Sequence, residues 1–205
     1  ASREGLITAI GHESWSGNLP GGRAEAATAS TRLLYAGANR MTRLNLAVLD
    51  LAEGSAMRAP GEAPGMMALE IAMDELAEKL GIDPLQLRLL NDTQVDPEQP
   101  SRPFSTRQLV ECLQTGAEQF GWHQRNASAG QRLENGWLIG IGLASAIRGA
   151  PTTASAARVR LDRHGTITVE TDMTDIGTGS YTIIAQTAAE MMGVELDRVE
   201  VRLGD

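Results

Sequence analysis

The apolar positions Leu69, Met73, Leu76 and Leu80 recur every three to four residues, with Glu70, Asp74, Glu75, Glu78 and Lys79 between them. That spacing puts the apolar side chains on one stripe of a helix running from about Pro64. Gly81 stands where the stripe ends, and a glycine there takes the left-handed conformation that closes a helix C-terminus. Asp83 and Pro84 then restart the chain in helix-opening order, a capping carboxylate followed by proline at the first helical position. "DPLQLRLLND" is thus a second, short helix.

Around this pair the pattern changes repeatedly. "GLITAIGHESWS" reads as an opening strand and "AEAATASTRLLYA" as a helix from about Ala24 to Ala36. "MTRLNLAVLDL" alternates Leu44, Leu46 and Val48 with polar neighbours, the period of a half-buried strand. "DTQVDPEQPSRP" is a polar, proline-rich connection, and Thr106 to Phe120 is a helix ended by Gly121. "NASAGQRLENG" is a loop, and "WLIGIGLASAI" reads as a buried strand with glycines where other backbone comes close. "ARVRLDRHGTITVET" is a hairpin turning at "DRHG", which contains His164. "DIGTGS" leads into the helix "YTIIAQTAAEMMG", with Ile184, Ala188 and Met191 or Met192 on one face, and "RVEVRL" is a final strand. Strands and helices mix without a strict repeat, so the expected fold class is α+β, mixed β-sheets with packed helices. Two regions are expected, 1–130 and 131–205.

Composition narrows the function. The 205 residues are 42% hydrophobic and carry a net charge of −8. A broad phosphate-binding surface needs a basic excess, so nucleic acid and anionic membranes are not expected partners. No apolar run approaches the ~20 residues that cross a bilayer. One cysteine, Cys112, makes no internal disulfide, and its helical, apolar surroundings predict a buried packing role. His12, His123 and His164 have no metal-ligand spacing. Both ends read as cut from a longer chain.

Two loops stand out. From Gly54 to Met67 the only charges are Arg58 and Glu62, set among small residues, with Pro60 and Pro64 stiffening the backbone. The fork of Arg58 suits a phosphate or a developing negative oxygen. The plainer alternative is an arginine that tethers its own loop to Asp50 or Glu53. In "DIGTGSYT", Gly177 and Gly179 let a ligand approach the main chain, Thr178, Ser180 and Thr182 add hydroxyls, and the helix start offers free amides to an anion. Here the plainer alternative is a glycine turn with Ser180 as a helix cap. The loop lacks the lysine of a nucleotide-triphosphate loop and the third glycine of a dinucleotide fingerprint. A flavin or nicotinamide enzyme is not expected.

"MRAPGEAPGMMALEIAMDELAEKLGIDPLQLRLLN" and "DIGTGSYTIIAQTAAEMMGV", each opening a helix, resemble the molybdenum-binding large subunit of the xanthine dehydrogenase/aldehyde oxidase family. The resemblance runs from about Thr31 to Asp205, and "RAPGEAPG" looks most like periplasmic-type bacterial aldehyde dehydrogenases that use molybdopterin cytosine dinucleotide. It implies oxidation of aldehydes to carboxylic acids, or hydroxylation of heterocycles, with electrons leaving through iron–sulfur and FAD subunits. Arg58 matches the family's arginine beside the molybdenum centre, in a catalytic and cofactor-binding role, and Ala59, Pro60 and Gly61 match its adjoining backbone. Gly177, Thr178, Gly179 and Ser180 match the loop that holds the cofactor. Arg32 falls where some members place a second arginine, and "ASAIRGAPTT" falls near the substrate funnel. Thr178 departs from the family's usual Gln and Pro60 from a frequent aromatic. The catalytic glutamate and a further glycine loop are expected outside this stretch, so these 205 residues alone are expected to be inactive. The alternative from another class is a non-catalytic module whose glycine loops hold a phosphate-bearing ligand or a partner chain.

Overall fold

The computed structural model describes every residue except 55–57, 127, 129, 150, 151 and 205. Its elements are β1 (Ala9–Asn18), α1 (Ala29–Leu34), β2 (Asn39–Val48), α2 (Glu62–Leu80), α3 (Pro84–Leu90), β3 (Val95–Asp96), β4 (Gln99–Pro103), α4 (Leu109–Phe120), β5 (Leu133–Glu134), β6 (Trp137–Leu138), β7 (Arg158–Leu161), β8 (Ile167–Thr171), α5 (Ser180–Met192) and β9 (Val199–Leu203), with 3-10 turns at Trp122–Gln124 and Leu196–Arg198. The fold is α+β, with helices set among small separate sheets. The chain divides into two compact units, Ala1–Arg148 and Gly149–Asp205.

In the first unit β1 and β2 pair in parallel from Ala9–Asn39 to Asn18–Val48, with α1 in the connection between them. The stripe on α2 does what its period requires. Leu69, Met73 and Ala77 are buried with Leu34, Tyr35 and Leu87 in one cluster, against which Leu76, Leu80, Ile7 and Ile10 pack. Each large side chain buried this way contributes about 1.5–3 kcal/mol. Gly81 closes α2 in the left-handed conformation, its amide bonded to Ala77 and Glu78 carbonyls. Asp83 caps α3, its carboxylate accepting from the Leu85 and Gln86 amides.

Four expectations are corrected. The helix drawn from Ala24 to Ala36 is confined to Ala29–Leu34. The segment before it has no regular structure and turns at Ala27, whose backbone lies close against α2: a Cβ on Gly65 would stand 1.7 Å from the Ala27 carbonyl oxygen. The buried strand "WLIGIGLASAI" forms a ladder only at Trp137–Leu138, paired with Leu133–Glu134. Trp137 is 74% exposed, while Ile141 and Leu143 pack on a second cluster of Leu85, Leu113, Ala117 and Trp122. Cys112 is exposed rather than buried. The inward stripe of α4 is Leu109, Leu113 and Ala117, and Cys112 lies about 100° away from Leu113 around the helix. The connection "DTQVDPEQPSRP" holds the small antiparallel pair β3–β4.

The second unit is a three-stranded sheet in the order β7-β8-β9, β7 antiparallel and β9 parallel to β8, with α5 crossing between β8 and β9. Ile167 and Val169 are buried on one face, and an apolar groove of about 340 Å³ runs between Val159, Val169 and the α5 side chains Ile184, Ala188 and Met191. The opposite face is a charge ladder, with Glu170 between Arg160 at 2.5 Å and Arg202 at 3.8 Å. Opposed charges across a ladder favour this register.

Candidate functional site

Arg58 is exposed, and the chain turns sharply after it. Ala59 takes φ +43 and Gly61 φ +70. A left-handed alanine costs on the order of 1 kcal/mol, so the surrounding fold imposes this shape. Gly61 caps α2, and a Cβ there would meet the Ala26 and Ala27 amide nitrogens at 2.7 and 2.8 Å. The glycine therefore permits a close backbone approach that seats the loop. Glu62 opens α2, where an acidic side chain is favoured, and faces Arg148 at 3.7 Å.

The second loop lies in the other unit. Gly177 and Gly179 take φ +87 and +84, and a Cβ on Gly179 would meet nothing within 4 Å. The main chain is open there. Its amides, however, are partly engaged, because Asp175 Oδ1 accepts from Gly177 N at 2.7 Å and Thr178 N at 2.9 Å. Those bonds, Gly177's first, hold the Asp175 carboxyl below the usual range. Ser180 is not the cap, since Gly179 occupies that position with no side-chain bond. The Thr178 and Ser180 hydroxyls stand 3.4 Å apart beside the open glycine.

Arg32 is committed to carboxylates, 2.7 Å from Asp96 and 2.6 Å from Glu98. Asp96 is 1% exposed, so Arg32 neutralises a buried charge. His12 Nδ1 lies 2.7 Å from Thr31 Oγ1, and burial lowers its pKa. Among the described residues, no group of three or more His, Cys, Asp or Glu could hold a metal ion.

The network that sequence reasoning missed lies on α2 and α3. Glu70, expected among the polar positions of α2, is buried. Its Oε1 accepts from the Tyr35 hydroxyl at 2.6 Å. Its Oε2 accepts from Arg88 Nε at 2.8 Å and from the Ser145 amide at 2.6 Å. Burial, reinforced by the neighbouring carboxylate, pushes the Tyr35 hydroxyl far above the usual tyrosine range. The signal was available: Arg88 interrupts the apolar run "LQLRLL", and a charge inside such a run needs a buried partner.

Known proteins resemble this chain along its whole length. Two family models, both described as a molybdopterin cofactor-binding domain, match residues 1–92 and 115–205. The chain is 67% identical to the aldehyde oxidoreductase molybdenum-binding subunit PaoC of Escherichia coli K12, over all of this chain and 28% of that protein. It is 31% identical to the xanthine dehydrogenase molybdenum-binding subunit of Escherichia coli O157:H7, over 74% of this chain and 21% of that one. The chain thus spans under a third of the length of these relatives. The aldehyde oxidoreductase of Desulfovibrio desulfuricans superposes with a TM-score of 0.69 at 21% identity, covering 100% of this chain and 24% of that one, and bears on the fold alone. Matching models at both ends, with two thirds identity throughout, make this chain a member of the molybdopterin cofactor-binding family carried by the molybdenum-binding subunits of xanthine dehydrogenases and aldehyde oxidoreductases.

Proposed function

We propose that this chain serves an enzyme that oxidises aldehydes to carboxylic acids, or hydroxylates heterocycles, at a molybdopterin cytosine dinucleotide cofactor. Electrons leave through iron–sulfur and FAD subunits. The carrying observation is the 67% identity to an aldehyde oxidoreductase subunit across the whole chain. A non-catalytic module would leave that identity without a reason.

The residues fit such a group. A metal carried by its own organic ligand needs no cluster of protein ligands. Gly179 leaves room for a ligand against the main chain. When bound, the cofactor supplies the redox chemistry, and the protein supplies position and field. Arg58 offers a planar fork of donors to an oxygen or phosphate, on a backbone fixed by Ala59, Pro60 and Gly61. Gly177 and Gly179 admit the cofactor to the backbone, and Thr178 and Ser180 offer hydroxyl donors. Thr178 is shorter than the Gln usual in the family, and Pro60 leaves the pocket without an aromatic wall. The 205 residues alone are inactive on this reading.

The test is made on the full-length protein with its partner subunits. Stoichiometric molybdenum together with aldehyde-dependent dye reduction is expected. Metal-free protein that reduces no dye and retains a phosphate-bearing ligand would return the module.

A further inference from the structure

Asn18 ends β1 opposite Val48 and is buried, 6% exposed. A buried side-chain amide needs partners at both its ends, and this one has them. Its Oδ1 accepts from the Leu19 amide at 2.8 Å and from the Gly54 amide at 3.3 Å. Its Nδ2 donates to the Arg23 carbonyl at 3.2 Å, and its own carbonyl accepts from the Leu49 amide at 2.9 Å. Asn18 thus joins the end of β1, the turn at 19–23 and the 49–54 lead into the Arg58 loop. The turn is shaped around this side chain, since a Cβ on Gly22 would stand 2.5 Å from Asn18 Cγ.

The same stretch meets the far side of the loop. Gly61, three residues after Arg58, lies close against the Ala26 and Ala27 amide nitrogens. Residues 18–27 therefore hold the loop on both sides, by a hydrogen bond before Arg58 and by backbone contact after it. The hold before Arg58 depends on one side chain that carries an acceptor and a donor in a fixed order. Aspartate would turn a second oxygen toward the Arg23 carbonyl, and alanine would leave Gly54 N and Arg23 O without this partner. We propose that Asn18 is a positioning residue: by clasping Gly54 to Arg23, it fixes where the chain enters the loop and so where Arg58 is held. This inference rests on the enzymatic reading above, with Arg58 in the role given there, and one of its readouts needs no turnover.

The experiment uses the molybdenum-loaded full-length enzyme with Asn18→Ala. Hydrogen exchange in the 49–54 peptide should quicken while α4 keeps its rate. Per bound molybdenum, kcat should fall roughly tenfold with KM for aldehyde within about twofold, as when a group acting in the transition state is misplaced. In an Arg58→Ala background, Asn18→Ala should lower kcat no further, because two changes that act through one group do not add. A merely structural role would give additive losses. If Asn18→Ala does not fold, Gly22→Ala, which pushes the Asn18 side chain aside, should give the same effects in smaller measure. Unchanged exchange at 49–54 in a folded variant of either kind overturns the clasp, and a full further loss on top of Arg58→Ala overturns its link to Arg58. Faster exchange in a protein that turns over no aldehyde leaves the clasp standing and sinks the enzymatic reading instead.

Discussion

Arg88 directs its guanidinium at Glu70 twice, from Nε to the carboxylate at 2.8 Å and from Nη2 to the backbone carbonyl at 3.2 Å. Its remaining nitrogen donates to Pro84 O at 3.0 Å and faces the Asp74 carboxylate at 2.8 Å. Arg88 is fully buried and Glu70 is 5% exposed, so neither charge has water to fall back on. The pair locks α3 onto α2.

Removing one member should be far worse than removing both. Arg88→Met leaves a buried, unpaired carboxylate and should destabilise the full-length protein by about 3–5 kcal/mol in urea denaturation. Adding Glu70→Leu should recover part of that loss. Additive losses from the two changes would show that the pair is not coupled.

Two glycines in helices should respond with opposite sign. Gly65→Ala drives a Cβ to 1.7 Å from the Ala27 carbonyl oxygen, with backbone on both sides, and should cost about 1–3 kcal/mol or more. Gly116→Ala, on α4 with nothing within 4 Å, should add about 0.5–1 kcal/mol by helix propensity. Thermal melts compare the two directly.

Arg58→Ala in the full-length, molybdenum-loaded enzyme should lower kcat on the order of 10²-fold, the size of effect seen when a preorganised donor is removed. Folding should stay largely intact because Arg58 is exposed, and turnover is compared per bound molybdenum. Wild-type turnover with bound metal would reduce Arg58 to a loop residue.

Acid should weaken the α3 cap. Burial tends to raise the Asp83 carboxyl, but the bonds from Arg125 at 2.6 Å, from the Trp122 indole and from the Leu85 amide outweigh it and leave it below the usual range. A depressed folded value means the stabilisation is present above the ordinary carboxylate range, near pH ~4, and fades as pH falls through the folded value. Asp83→Asn keeps an N-cap but loses the charge. It should therefore be less stable at neutral pH and show a shallower loss between pH ~5 and ~2, read from melts across that window. An unchanged acid slope would count against Asp83 as its source.

Local codes were legible. Gly81, Asp83 and Pro84 act within a few residues, and the structure keeps each in the role its chemistry dictates. The turn at "DRHG" follows likewise, with Asp162 accepting from the His164 and Thr166 amides. The segment 139–148 was misread because its apolar residues match a buried strand in composition, while the partner that binds Ser145 is a carboxylate 75 residues earlier. Cys112 was misread because neighbouring helical residues differ by a fraction of a turn, and only the packing of Leu113 and Ala117 fixes which of them faces inward.

The sequence by itself determined α2 and α3, the glycine ends of α2 and α4, and the two glycine-bearing loops, because periodicity, capping and backbone freedom are short-range properties. The tertiary structure alone decided which charges are buried. It turned Glu70 inward to meet Tyr35, Arg88 and Ser145, gave Arg32 to Asp96 and Glu98, and gave the amides of the second loop to Asp175. A charged side chain can enter a core only where its partners converge, and convergence over tens of residues is set by packing rather than by local pattern.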